Sequence, residues 1–126
     1  MPDRSPLKIK LQLFCGDEIA MGPGKADLLD AIGIHGSISG GGKAMGMSYR
    51  RAWQLVDTMN RCWCEPLVET SPGSHHGGGA RVTPLGSRVL ALYRGLQAAL
   101  AQSADGADLA ELRAALLAAP KASRKG

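Results

Sequence analysis

A mainly α chain with a small β component is predicted by three stretches of the sequence. The first, Gly36 to Cys64, reads as two helices joined by a tight turn. The second holds two short strands, Leu67-Val68 with Thr70 and then Arg81-Val82-Thr83, on either side of the Gly-rich loop Ser71 to Gly79. The third is a long helix from Thr83 onward, with Leu85, Val89, Leu92, Tyr93, Leu96 and Leu100 spaced by three and four. With one more helix ahead of the pair, the order is helix, helix, helix, strand, loop, strand, helix. That is the order of a winged helix-turn-helix, here with an N-terminal strand or hairpin and a long C-terminal dimerisation helix.

Length and charge narrow the function. A chain of 126 residues makes one small domain with a modest core. The expected division is a winged helix-turn-helix at 1–102, followed by a short helix and basic tail at 103–126. Fifteen Lys and Arg against 11 Asp and Glu leave a net charge of +4, which suits a nucleic-acid partner. No apolar run approaches the ~20 residues that span a bilayer, so no membrane partner is expected. The start, Met1 to Lys10, lacks the apolar stretch of a signal peptide. Three Cys without a CxxC pair make no disulfide framework, and the reading is a reduced, cytoplasmic protein. No nucleophile with its base, phosphate-binding helix start or paired carboxylates can be assembled, so the expectation is no enzyme and no cofactor.

Taken in order, Leu7, Ile9, Leu11 and Leu13 alternate with polar residues and predict a half-buried strand. Cys15-Gly16-Asp17 breaks it, and Glu18 to Met21 forms a short partner. Pro23 sits in the first turn of the next helix, whose apolar residues are Leu28, Leu29 and Ile32. The first helix of the central pair is expected over Ile38 to Met45, capped by Ser39. Gly46 marks the bend, and Gly42 is small enough for two crossing helices to touch there. The triplet Gly40-Gly41-Gly42 costs on the order of 1 kcal/mol of propensity per residue, so this helix is expected to fray in the free protein. Beyond the long helix, Asp108 and Glu111 suggest a capping-box start for a last short helix, with Pro120 after it.

Ser48 caps the second helix of the pair, on which Ala52, Leu55, Val56 and Met59 share one face at i, i+3, i+4 and i+7. Arg50, Gln54, Asp57 and Arg61 lie opposite. Side chains in the first two turns of such a helix enter the major groove: Ser48, Tyr49, Arg50, Arg51 and Gln54. Arg50 points furthest from the apolar face and is the expected base reader, since Arg bonds guanine in two-pronged fashion; Gln54, one turn on, suits adenine. Arg51, Arg61, Arg81 and the wing residues His75, His76 and Gly77 are the expected backbone contacts. The two imidazoles predict binding that tightens as pH falls through roughly 6.5. The long helix carries more apolar positions than one small core absorbs. Together with the edge of the Leu7–Leu13 strand, it predicts a symmetric homodimer on double-stranded DNA.

Gly36-Ser-Ile-Ser39, the run Met45-Gly-Met-Ser-Tyr-Arg-Arg-Ala-Trp53, Met59-Asn60, Pro66-Leu-Val-Glu69, Gly77-Gly-Gly-Ala80 and Thr83-Pro-Leu-Gly86 resemble one family. It is the N-terminal DNA-binding domain of the ModE-type, molybdate-responsive transcriptional regulators, and the similarity runs from about Leu7 to Leu96. The resemblance implies a homodimeric winged-helix domain with the Ser48–Asn60 helix in the major groove and the Gly-rich loop as its wing. Family members continue into small β-barrel domains that bind molybdate or tungstate. The resemblance does not reach those domains, so no oxyanion site is carried over.

Two departures from the family open an alternative. Cys62-Trp63-Cys64 stands where the family more often has an apolar residue, an aromatic one and Arg, and His75-His76 where it commonly has a Lys followed by Gly; Cys and His are ligands for zinc or copper. A metal- or thiol-responsive regulator would use Cys62, Cys64, His75 and His76. Against it, two helical residues at that spacing put their thiols on opposite sides, and Cys62 serves equally as a small buried hydrophobe. A second alternative is a protein-interaction module without DNA binding.

Overall fold

The computed structural model describes residues 6–71 and 79–123. Strands β1 (Leu13–Cys15) and β2 (Glu18–Met21) form an antiparallel hairpin in which Cys15 faces Glu18. Three helices follow: α1 (Pro23–His35), α2 (Ile38–Ala44) and α3 (Tyr49–Cys62). Strands β3 (Val68–Ser71) and β4 (Gly79–Val82) pair antiparallel, with Glu69 opposite Arg81. Helices α4 (Pro84–Ala104) and α5 (Ala107–Ala115) close the chain. This is a mainly α winged-helix fold.

The core lies where α1, α2 and α3 meet the base of the β3–β4 hairpin. Met21, Leu28, Leu29, Ile32, Val56, Met59 and Leu67 are its largest fully buried side chains. Val89 and Tyr93 bring α4 onto it. The wing base is tied down by two polar side chains. Asn60 Oδ1 accepts from Leu67 N (2.9 Å) and Val68 N (3.1 Å), and its Nδ2 donates to Val68 O (3.0 Å). Thr83 Oγ1 donates to Pro66 O (2.8 Å) while accepting from Gly86 N (2.9 Å), so one hydroxyl closes the hairpin and caps α4.

Four local expectations are corrected. Only Leu13–Cys15 of the alternating N-terminal stretch is strand, because Leu7–Gln12 crosses α4 and has no strand beside it among the described residues. One tie is a hydrogen bond from the Tyr93 hydroxyl to Leu11 O (2.7 Å). The cap of α2 is Ser37 and not Ser39: the backbone is extended at Ser37, and its hydroxyl accepts from Gly40 N (2.8 Å). Helix α5 begins at Gly106 without a side-chain cap, which leaves Asp108 inside its first turn, and it ends before Pro120. Helix α2, expected to fray, is formed, and its glycines are packing positions. A Cβ on Gly41 would stand 3.0 Å from Ile32 N and 2.8 Å from Ile32 Cγ1; one on Gly42 would stand 2.8 Å from Ala52 Cβ. The bend at Gly46 is as expected, with φ +71° in the left-handed region.

Candidate nucleic-acid interface

Helix α3 starts at Ser48, whose Oγ accepts from Arg51 N (3.0 Å). Ala52, Leu55, Val56 and Met59 are buried against α1 and α2, so the opposite face is turned outward by packing alone. Tyr49, Arg50, Trp53, Gln54 and Asp57 line one shallow hollow on that face. Tyr49 and Trp53 stand edge to face with ring centroids 6.1 Å apart and remain 60% and 38% exposed. Arg50 and Arg51 enter no ion pair among the described residues. The outer face of α3 therefore offers two unpaired guanidinium groups, an amide and two aromatic edges.

The structure thus gathers Ser48, Tyr49, Arg50, Arg51 and Gln54 at one end of α3. Arg61 stands at the other end and is engaged: it bonds Glu18 (2.8 Å) and Asp57 (2.9 Å). The hydrogen bond to Glu18, then that to Asp57, hold its proton more tightly than an ordinary guanidinium. Arg81, on β4, pairs with Glu69 across the hairpin (2.7 Å). Both arginines are exposed, and exposed pairs are weak enough for a phosphate to compete. His75, His76 and Gly77 lie outside the described residues.

Residues not singled out from the sequence also shape this surface. Trp53 repeats the outward direction of Tyr49 one turn later, a spacing visible in the sequence. Lys25, in the first turn of α1, has its pKa lowered, first by burial and then by the nearby Arg51 charge. The two make a positive corner where α1 meets the start of α3. Only tertiary structure brings them together.

No group of three or more His, Cys, Asp or Glu suited to an ion occurs among the described residues, and two of the four metal candidates, His75 and His76, lie outside them. Cys64 is exposed beyond the end of α3, and Cys62, the last residue of that helix, is half-buried. No helix of the described residues is long and apolar enough to cross a membrane.

No family model matches the chain. It is 38% identical over 101 residues to the molybdenum-pterin-binding protein MopA of Rhodobacter capsulatus, which takes in 80% of this chain and 38% of that protein. It is 44% identical over 70 residues to the molybdenum transport protein ModE of Azotobacter vinelandii, 56% of this chain and 26% of that protein. To the DNA-binding transcriptional dual regulator ModE of Escherichia coli (strain K12) it is 39% identical over 87 residues, 69% of this chain and 31% of that protein. The chain spans about a third of the length of these relatives. The same chain folds as a winged helix and carries the GMSYRRAW run at the start of α3. Over the matched region the chain is similar to these ModE-type proteins.

Proposed function

We propose that this domain binds double-stranded DNA as part of a transcriptional regulator, as a homodimer, with α3 in the major groove and the β3–β4 hairpin beside it on the backbone. The observation that carries the reading is the outer face of α3. Its arginines at 50 and 51 enter no ion pair among the described residues, while Ala52, Leu55, Val56 and Met59 on the opposite side are committed to the core. Arg50 and Gln54 are the base readers, and the Tyr49–Trp53 pair adds apolar edges of the kind that meet a thymine methyl. Arg51, Lys25, Arg61 and Arg81 face phosphates, the last two by exchanging a carboxylate partner. His75, His76 and Gly77 complete the proposed wing contact. The relative from Escherichia coli is named for DNA binding and transcriptional control, which supports this reading.

The test is selection of bound fragments from random duplexes, followed by titration of the winning site against a scrambled one across a salt series. The expected result is a preferred, dyad-symmetric sequence and a log–log salt slope of several units. Absence of duplex binding at low salt overturns the proposal. Salt-insensitive binding to a protein would replace it with the interaction-module reading.

A further inference from the structure

Cys15 and Cys62 are distant in sequence, yet the fold sets them beside each other: Cys15, at the end of β1, pairs with Glu18 across the hairpin, and Glu18 is bonded by Arg61, the neighbour of Cys62. The residues flanking Cys62 are both fastened to the same hairpin. Arg61 bonds Glu18 (2.8 Å), and the Trp63 indole donates to Ala20 O (3.2 Å). Cys62 is thus held between two ties, facing the strand that carries Cys15. Cys15 is exposed and open to a reagent, whereas Cys62 is half-buried.

We propose that Cys15 and Cys62 form a reversible redox site, a dithiol that a low-molecular-weight disulfide such as oxidised glutathione converts into an intramolecular disulfide. The exposed Cys15 thiolate attacks one sulfur of the oxidant, forming a mixed disulfide and releasing one thiol. The Cys62 thiol then loses its proton to solvent and attacks Cys15 Sγ, expelling the second thiol. Two protein thiols are oxidised and one small disulfide is reduced to two thiols, so electrons and protons balance. This order also follows from access and acidity. Burial, and then the neighbouring Cys15 thiol, raise the Cys62 pKa, which makes it the poorer first nucleophile. Glu18 adds negative charge and Arg61 positive charge beside it, and Lys25 lies within electrostatic reach.

The bond would join the hairpin to the C-terminal end of α3, closing a loop that contains α1 and α2. A crosslink of this kind restricts the unfolded chain and raises the melting temperature. It leaves the first two turns of α3, where Arg50 and Gln54 stand, at the far end of the helix.

The pairing differs from the Cys62–Cys64 cluster suggested by the sequence, and it is independent of whether α3 enters a groove. The full chain is equilibrated in glutathione buffers of graded redox ratio, alkylated, and mapped by non-reducing peptide mass spectrometry. The expected product is the Cys15–Cys62 crosslinked peptide, with Cys64 alkylated and the melting temperature raised by several degrees until dithiothreitol is added. Cys64→Ser should behave as wild type, while Cys15→Ser and Cys62→Ser should each yield none of that product. A reaction that stops at glutathione on Cys15, a Cys62–Cys64 or intermolecular bridge, or an oxidised form that melts no higher than the reduced one overturns the proposal.

Discussion

Arg50 and Arg51 are adjacent in sequence, yet the packing of α3 separates their roles. Arg50 lines the outward hollow with Gln54 and Trp53, whereas Arg51 is close enough to Lys25 to depress that amine's pKa. Arg50→Ala is therefore expected to cost ~1–3 kcal/mol on the selected site and to relax preference at one base pair, with little change on scrambled DNA. Arg51→Ala is expected to weaken both and to lower the salt slope by about one unit. Parallel titrations on the two duplexes separate these outcomes, and equal losses for Arg50→Ala would assign it to the backbone. Tyr93 sets a second expectation at this scale. Burial raises its pKa, and its neutral hydroxyl donates to Leu11 O. The unfolded phenol ionises near 10 while the folded one holds its proton longer. Folding then favours the protonated form, and this stability, present below pH 10, is lost as pH rises through the folded pKa. Denaturant melts between pH 8 and 11 should show the loss in wild type and a smaller one in Tyr93→Phe, which itself costs ~1 kcal/mol at neutral pH.

At the scale of elements, α2 joins α1 and α3 through its glycines. In an open helix, Gly→Ala gains about 1 kcal/mol from propensity. At Gly41 the new Cβ would meet the Ile32 backbone nitrogen at 3.0 Å, and backbone cannot swing aside as a side-chain end can. Overpacking of this kind costs ~1–3 kcal/mol, so the clash outweighs the propensity gain. Gly41→Ala is expected to lower the melting temperature, and calorimetry showing a rise would mean that α1 and α2 separate easily. The opposite end of α3 is secured differently, by the three hydrogen bonds of Asn60 to the first residues of the wing. Helix and hairpin are thereby held in one fixed relation, which a groove-and-backbone contact requires.

At the scale of the whole molecule, apolar surface is left uncovered on α4 and near the N-terminus. Leu92 and Leu96 on α4 are 55% and 45% exposed, and Ile9, Leu13 and Phe14 are exposed on the N-terminal segment that crosses it. In the proposed homodimer a second copy packed there would bury these residues. Leu96→Asp is expected to shift a dimer to monomer in sedimentation at micromolar concentration while leaving the fold intact, since Leu96 is not part of the core. A wild-type chain that is monomeric throughout would remove this assembly. On two half-sites the monomeric variant should lose far more affinity than on one.

How much of this was legible in the sequence depends on the range over which each feature is set. The amphipathic period of α3, the Ser48 cap, the Gly46 bend and the Thr83-Pro84 helix start are decided by neighbours within a turn, so the chain alone carries them. The winged-helix order and its likeness to ModE-type domains were readable for the same reason, as a succession of local patterns. Alternation at Leu7–Leu13 was misleading, because period two marks a half-buried extended segment whether its cover is a strand or the side of α4. The glycines of α2 looked like weakness, since propensity counts only the helix's own turns and not the backbone of α1 lying against it. The engagement of Arg61 by Glu18, the Lys25–Arg51 corner and the meeting of Cys15 with Cys62 were decided by tertiary structure alone. Each joins residues that share no local period, and only burial of the common core brings their elements into contact.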